Sequence, residues 1–300
     1  MKTPTFHGLP TRDGVGPSCV GLPAGAWPTI TEYLVERFSA IPRQVWLNRM
    51  AQGLVVDEFG VAVTPERPYR GHLRVYYYRA VPLEPRIPFD EVVVFQDEQL
   101  VVADKPHFLP VTPSGHYLQE TLLVRLKNRL GLEDLAPIHR IDRETAGLVV
   151  FSVKPGERNA YQGLFRCHKV TKHYEAIAAA PVDMDFPLTR KTRIVEDVPF
   201  FRQREVPGMP NSETHIDVLE ITGGLARYAL SPVTGKKHQL RVHMNALGLP
   251  ITNDRMYPPV LQTPADDFDT PLQLLAKSIA FMDPITGEAR RFTSGRHLQS

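Results

Sequence analysis

The chain has 300 residues, of which 42% are hydrophobic and 23% are charged, a composition typical of a soluble globular protein with one or two domains. Its formal net charge of +2 is too small to indicate a nucleic-acid partner without local clustering of the cations. Cys19 and Cys167 exclude a disulfide framework and a CxxC metal motif, and no apolar stretch is long enough to span a membrane, so we expect a cytoplasmic protein.

The N-terminal third predicts an irregular arm followed by a small module. Residues 1–27 are rich in glycine and proline and show no periodicity. Two short helices are indicated next, because Thr29 and Glu32 form a capping box and Gly53 ends the second helix. Short β-type runs separated by a turn follow. We therefore predict an ααβ module, with its proline-rich linker, over residues 28–85.

Residues 86–300 predict a larger domain in which strands and helices alternate without a regular βαβ rhythm. A valine-rich hairpin turns at residues 96–99, and an amphipathic helix ends at Gly131. Strand character returns at residues 148–153, and a later helix ends at Gly248. This pattern predicts an α+β fold with a mixed, mainly antiparallel sheet.

The segment PIHRIDRETAGLVVF, residues 137–151, places a dense group of charges directly before an apolar run. Asp142 lies between Arg140 and Arg143, and opposite charges within reach hold a carboxylate ionised. A surface salt-bridge cluster fits these residues as well as a catalytic carboxylate at the mouth of a strand does. Glu144 is a weak partner for a glycosidase pair, because residues two apart in an extended segment point to the same side.

Several other chemistries find little support in the sequence. His238 and His243 are five residues apart on a predicted helix, whereas two ligands of one ion require a separation of four, so no metal site is predicted. The glycines of ITGGLARY lack the spacing of a phosphate-binding loop and indicate a hairpin turn. Neither a serine elbow nor a cysteine with an adjacent base is present, so nucleophilic serine or cysteine catalysis is not expected.

Basic and aromatic residues cluster in four segments, residues 70–79, 166–174, 190–193 and 236–241. Cations that follow phosphates, together with rings that stack on bases, are typical of proteins that bind single-stranded or loop RNA. Each cluster alone is better explained as a solvated face. Four of them in a chain with nearly balanced charge favour an RNA partner.

Three motifs resemble those of RluA-type pseudouridine synthases. HRIDRETAGLVVFSVKP resembles the family signature H-R-L-D-x-x-[ST]-[SA]-G-L, with Ile141 and Ala146 as mild departures. KHYEAIA resembles K-x-Y-x-A, and TGKKHQLRVHMNALGLPITND resembles T-G-R-x-H-Q-[IL]-R-x-H, with Lys236 in place of arginine. The motifs occur in the family order over residues 90–300. The N-terminal ααβ unit is similar to the alpha-L RNA-binding module that many such synthases carry.

The resemblance implies an enzyme that breaks the N1–C1′ bond of a uridine in RNA, turns the uracil and rejoins it through C5, without metal or cofactor. Asp142 would be the essential carboxylate, which either attacks C1′ or takes a proton from C2′. Arg241 would pair with Asp142, and Tyr174 would stack on the flipped uracil and help to move the C5 proton. The residues implied on the substrate side are Arg140, Leu240, His139 and Lys172.

Two other functions stay open from the sequence. One is an RNA-binding or ribosome-assembly factor without turnover, which the intact Asp142, Tyr174 and Arg241 disfavour. The other is a hydrolase that releases free uracil, which the missing second carboxylate disfavours. The expected partner is ribosomal or transfer RNA, the expected oligomeric state is a monomer, and the target uridine is left open.

Overall fold

The computed structural model describes residues 9–79, 84–115, 117–199, 201–261, 264 and 267–299. Contacts within the chain divide it into two compact units. The first comprises Met1–Glu84 with Gly115–Gln119, and the second comprises Pro85–Ser114 with Glu120–Ser300. Residues 1–8 of the predicted arm and residues 81–83 of the predicted linker lie outside the described residues.

The first unit packs two helices on a three-stranded antiparallel sheet of order β1-β3-β2. Its elements are β1 (Ser18–Gly21), α1 (Ile30–Arg37), α2 (Arg43–Ala51), β2 (Val55–Asp57) and β3 (Arg74–Tyr77). The Thr29 side chain caps α1 by accepting the N–H of Glu32 at 3.2 Å, as the capping box predicts. Fully buried Ile30, Leu34 and Trp46 form the centre of the core.

Strand β1 corrects the prediction for the N-terminal arm. The sequence predicts residues 1–27 as irregular, yet Ser18–Gly21 pairs with the whole of β3. Four residues with a glycine at one end give too short a pattern to show strand periodicity, and β3 supplies the hydrogen bonds that order them. Residues 115–119 join the same unit because Glu84 accepts the N–H groups of Leu118 and Gln119 at 2.7 and 2.9 Å.

The second unit is an α+β domain around one eleven-stranded sheet. Its strands are β4 (Val92–Gln96), β5 (Leu100–Lys105), β6 (Ala136–Pro137), β7 (Ala146–Ser152), β8 (Thr171–Ala179), β9 (Leu188–Glu196), β10 (Gln203–Val206), β11 (Ser212–Thr222), β12 (Leu225–Pro232), β13 (Leu274–Met282) and β14 (Ala289–Thr293). Its helices are α3 (Leu122–Leu130), α4 (Arg158–Arg166) and α5 (Gln239–Ala246). The predicted fold class is confirmed.

The strand order is β10-β9-β11-β12-β8-β13-β7-β5-β4, with β14 beside β13 and β6 beside β7. The predicted hairpin forms β4 and β5, and Gly131 ends α3 in the left-handed region at φ +66°. No element was predicted after residue 253, yet β13 lies in the middle of the sheet. Of the pairings within the described part of the chain, that of β7 with β13 alone is parallel.

The parallel pair brings the start of β7 to the level of β8. Gly147 lies opposite Ala276 of β13, and Ala276 lies opposite Tyr174 of β8 on its other side. Gly147 has φ +108°, and a Cβ atom there would lie 2.7 Å from the Ala276 nitrogen and overlap its carbonyl oxygen. Only glycine allows this close approach, so Gly147 sets where the loop before β7 meets the sheet.

The described residues contain no helix that is both long and apolar enough to cross a bilayer.

We predict that Gly147→Ala destabilises the second unit by at least ~3 kcal/mol, because the new methyl group meets strand backbone and the φ value is unfavourable. The free energy of unfolding from urea titration measures the loss. Gly156→Ala is the matched control, since a Cβ atom at Gly156 meets nothing within 4 Å, and it should change stability by less than ~0.5 kcal/mol. Equal stability of the two variants would show that β7 and β13 separate at little cost.

Candidate active site

Asp142 lies in the loop before β7, where the N–H of Thr145 closes a turn onto its carbonyl oxygen at 3.2 Å. The loop borders an open pocket. Tyr174 of β8, Leu240 of α5 and Leu274 of β13 line the same pocket. Residues that are distant in sequence therefore meet at one end of the central strands.

Arg241 of α5 is the cation that pairs with Asp142. Its Nη1 donates to Asp142 Oδ2 at 3.2 Å, although the two residues are 99 positions apart in sequence. Its Nε and Nη2 donate to the two carboxylate oxygens of Asp254 at 2.8 and 2.7 Å. The Tyr257 ring lies 5.4 Å from the guanidinium carbon. Arg241 is 2% exposed, so Asp254 holds it in place and leaves one nitrogen for Asp142.

The electrostatic setting keeps Asp142 ionised. Burial alone would raise its pKa, but interactions with His238 and Arg241 outweigh burial and hold the pKa of Asp142 below its usual value. Burial also lowers the pKa of His238 to about 4. His238 is therefore neutral near pH 7, and the permanent charge that stabilises the Asp142 carboxylate there is that of Arg241.

His238, the N-cap residue directly before α5, faces Asp142. Its Nε2 lies 3.9 Å from Asp142 Oδ2, and its Nδ1 lies 3.0 Å from the Tyr257 hydroxyl. That hydroxyl accepts the N–H of Gln203 at 2.8 Å, so its own proton can be donated to Nδ1. This arrangement favours the tautomer with a proton on Nε2, which directs an N–H group towards the carboxylate.

A polar network fixes α5 against β11. Gln239 donates to the carbonyl oxygen of Glu213 and to Thr214 Oγ1, both at 2.9 Å. His243 is fully buried, and its two ring nitrogens lie within 3.1 Å of the hydroxyls of Thr192, Ser212 and Thr214. These bonds leave α5 little freedom to slide along the sheet. The helix that carries Arg241 is thus held by side chains on its other faces.

Lys105 fixes the backbone of the Asp142 loop through hydrogen bonds. It is fully buried, and its Nζ donates to the carbonyl oxygens of Pro106 and Arg143 at 2.9 and 3.0 Å. Burial lowers the pKa of Lys105 to about 7. A neutral amine still offers two N–H groups, which match the two carbonyl acceptors. The lysine therefore anchors the backbone next to Asp142 in either protonation state.

The substrate-side residues implied by the motifs occupy different positions. Leu240 and Lys172 line the pocket, and Lys172 Nζ donates to the carbonyl oxygen of Thr234 at 3.0 Å. Burial lowers the pKa of Lys172 to about 8. Arg140 is exposed at the pocket mouth. His139 Nε2 accepts the N–H of Val150 at 3.1 Å, so this hydrogen bond attaches the His139 side chain to β7.

Some of the charged residues that flank Asp142 in the sequence form ion pairs with each other. Arg143 Nη1 donates to Glu144 Oε1 at 2.8 Å, and Glu144 is 8% exposed. Glu144 is therefore paired with its neighbour, and it is not among the described residues that line the pocket of Asp142. His238 and His243 also serve separate networks: His238 contacts Asp142 and Tyr257, whereas His243 contacts hydroxyl groups of β9 and β11. Across the described ranges, no group of three or more histidine, cysteine or carboxylate side chains could hold a metal ion.

Three residues of the site were not identified from the sequence: Asp254, Tyr257 and Lys105. Asp254 ends the quoted segment LGLPITND, and the only available signal was a carboxylate shortly after the helix stop. Lys105 ends a valine-rich strand in ADKP, where a charge at a buried strand end was the signal. Tyr257 carried no pattern that sets it apart.

A larger groove of about 1,760 Å³ continues from the pocket in the second unit. Asp142 is the one carboxylate among the described residues that line it, and the cations are Arg140, Arg143, Arg166, Lys172, Lys236 and Lys237. We refer to this cavity as the basic groove. It presents positive charge around a single negative group.

We predict that Asp254→Asn lowers the free energy of unfolding by ~3–5 kcal/mol, because it leaves a buried guanidinium without its main counter-charge. Asp142→Asn should cost less than ~1.5 kcal/mol, since Asp142 is 28% exposed at its side chain and Arg241 keeps Asp254. Urea denaturation of both variants measures the difference. Equal losses would show that Asp254 does not hold Arg241 in the folded protein.

Comparison with known proteins gives the site a family context. The model of the RNA pseudouridylate synthase family matches residues 99–246. The dual-specificity RNA pseudouridine synthase RluA of Haemophilus influenzae is 32% identical over 71% of this chain and 94% of its own length. A mitochondrial tRNA pseudouridine(32) synthase of Saccharomyces cerevisiae is 31% identical over 55% of this chain and 36% of its own length.

A solved structure agrees with this assignment. The human RNA pseudouridylate synthase domain containing 4 superposes with a TM-score of 0.54 at 27% identity, covering 69% of this chain and 88% of that protein. The matched region contains the loop of Asp142, the strand of Tyr174 and the helix of Arg241. The chain therefore belongs to the RluA-type family of RNA pseudouridine synthases.

Proposed function

We propose that Asp142 is the carboxylate that acts on the ribose of the target uridine. The observation that carries the proposal is its ion pair with the buried Arg241, at 3.2 Å, inside a pocket that also holds Tyr174 and Leu240. The carboxylate keeps a lowered pKa and remains partly exposed to the pocket. A group that must be charged and must reach a substrate needs both properties.

The reaction is an isomerisation in which the N1–C1′ bond breaks, the uracil turns and a C5–C1′ bond forms. Both open routes need an ionised carboxylate beside the sugar, either as a nucleophile towards C1′ or as a base towards the proton on C2′. Asp142 suits both routes. A hydrolase would need a second carboxylate beside Asp142, for which Glu144 is the nearest candidate in the sequence. Glu144 forms an ion pair with Arg143, which supports an isomerase over an enzyme that releases uracil.

Tyr174 and Leu240 are proposed to hold the uracil. Burial, and then the nearby charge of Asp142, raise the pKa of Tyr174, so its hydroxyl is protonated at neutral pH. A neutral ring beside an apolar side chain suits stacking on a base. We therefore propose that Tyr174 stacks on the uracil as a neutral ring, and its part in moving the C5 proton stays a prediction from the family chemistry.

The basic groove is proposed to hold the RNA backbone. Lys236 and Lys237 lie on the loop before α5, and Arg166 lies at the end of α4, so cations from separate elements border one channel. The basic cluster at residues 190–193 contributes less positive charge for RNA binding than these residues do. Arg190 pairs with Glu205 and Lys191 with Glu213, which neutralises much of that charge.

We further propose that the RNA is ribosomal or transfer RNA and that the protein acts in the cytoplasm as a monomer. The names of two relatives support the choice of RNA, since one is called dual-specificity and the other a tRNA enzyme. The comparisons favour an enzyme over a non-catalytic assembly factor. Activity without metal or cofactor stays a prediction from the family chemistry.

The first unit is proposed to contribute phosphate contacts. Arg70 is exposed in the turn before β3, and Arg74 begins β3 next to the half-buried Tyr76. Neither arginine side chain has an ion pair among the described contacts, whereas Arg43 of the same unit pairs with Glu32 at 2.7 Å. Arginines without an internal carboxylate are the better candidates for RNA phosphates.

We predict that Asp142→Asn lowers single-turnover formation of pseudouridine at least ~10³-fold, because the amide keeps size and hydrogen bonding but loses the charge. RNA binding should stay within a few-fold of wild type. The measurement is pseudouridine in cellular ribosomal and transfer RNA incubated with purified protein. Glu144→Gln is the control and should retain turnover. A fully active Asn variant would remove Asp142 from the reaction.

We predict that the double variant Arg70→Gln with Arg74→Gln weakens RNA binding and flattens its salt dependence. Each lost phosphate contact removes ~0.7–0.9 from the slope of log affinity against log salt concentration. Arg43→Gln should leave the slope unchanged because that side chain pairs with Glu32. An unchanged slope in the double variant would show that this face of the first unit does not touch RNA.

A further inference from the structure

Phe165 is an aromatic residue of the basic groove that none of the assigned roles uses. It lies in the last turn of α4, is half-buried, and borders the groove. Part of the ring packs against the core that includes Tyr161 and Leu164. The side chain is not fully buried, and the groove that it borders has both apolar and basic walls.

His139 supports the Phe165 ring. The two rings are stacked, with centroids 4.7 Å apart and planes inclined by 20°. His139 is itself anchored, because its Nε2 accepts the N–H of Val150 in the middle of β7. Burial lowers the pKa of His139 to about 3, so the imidazole is neutral at physiological pH. The stack is thus a rigid, uncharged surface built on the central sheet.

Cations surround this surface. Arg166 follows Phe165 directly, and its Nη2 donates to Asn159 Oδ1 at 2.8 Å, which orients the guanidinium at the end of α4. His168 is exposed close by, and Arg140 and Lys172 line the same groove. A partly exposed ring among cations that can follow a phosphate backbone is an arrangement by which proteins stack unpaired bases. Core packing alone explains the buried part of Phe165 but not this setting.

The basic groove extends beyond the pocket that borders Asp142. It shares Asp142 and Tyr174 with that pocket and also contains Phe165, which the pocket does not. We propose that Phe165 is the stacking platform for an unpaired nucleotide next to the target uridine. The proposal rests on the proposed function and deepens it, because it requires a target in a loop or bulge, where a neighbouring base is free to stack.

The test uses three variants at this position in the full chain. Phe165→Ala removes the ring, Phe165→Leu keeps apolar volume for the core but lacks a π face, and Phe165→Trp enlarges the face. Leu219→Ala is the control, because Leu219 is an apolar side chain of β11 that is half-exposed and outside the groove. Urea denaturation checks that the variants being compared are folded.

The probe is an oligouridylate of ~10 nucleotides with one 2-aminopurine, a length within the range that such grooves cover. We expect Phe165→Ala and Phe165→Leu to raise the dissociation constant ~5- to 150-fold, the range of one lost base stack. The slope of log affinity against log salt should stay unchanged, because no phosphate contact is removed. Quenching of 2-aminopurine should be lost in both variants and kept in Phe165→Trp.

Two outcomes would overturn the platform. One is a folded Phe165→Leu variant with wild-type affinity and quenching, since the leucine preserves packing but cannot stack. The other is a wild-type protein that binds the probe without quenching 2-aminopurine. Pseudouridine formation by the wild-type protein on cellular RNA is measured in parallel. If the wild-type protein forms pseudouridine, the proposed function stands even when the stacking role of Phe165 is contradicted. If it forms none, the result counts against the proposed function itself.

Discussion

The buried positive charge of Arg241 is the constraint on which the rest of the site depends. The protein neutralises it with Asp254, which accepts from two guanidinium nitrogens, and with Asp142, which accepts from a third. Because the guanidinium is planar, fixing two nitrogens also fixes the direction of the third. Such a buried pair contributes little net stability compared with apolar packing. What it determines is where a negative charge lies at the pocket.

The sheet determines how the elements that carry these groups meet. Tyr174, Ala276 and Gly147 lie side by side on three neighbouring strands, so the loop of Asp142 begins at the level of the ring proposed to hold the uracil. A parallel pair with a glycine at the point of contact lets the backbones approach closely. Helix α5 then reaches the same end of the sheet, and its bonds to β11 keep it there. Strands and a fastened helix hold Tyr174 and Arg241, and the segment between α5 and β13 adds Asp254 and Tyr257, which contact Arg241 and His238.

Charge in the basic groove serves two needs that oppose each other. RNA phosphates require cations, while the chemistry requires a carboxylate that stays ionised. The lysine and arginine side chains of the basic groove are the cations proposed for the phosphates, whereas Arg241 is the charge that keeps the Asp142 carboxylate ionised near pH 7. The neutral rings of Tyr174 and Phe165 are the surfaces proposed for bases within the same groove. On these proposals, the groove separates recognition of the backbone from recognition of unpaired bases.

Several features of this protein could be predicted from its sequence because they depend on local chemistry. The caps at Thr29 and Gly131 and the motif residues Asp142, Tyr174 and Arg241 depend on neighbours within a few positions or on a family pattern. The pairing of β1 with β3, the Asp254 contacts and the neutralisation of Arg190 by Glu205 depend on strand register and on loops that return from elsewhere. The sequence by itself thus determined the fold class and the family, and it singled out Asp142 as the candidate reactive carboxylate. Only the tertiary structure decided which charges neutralise each other, because an ion pair forms between groups that folding brings within a few ångströms, whatever their separation along the chain.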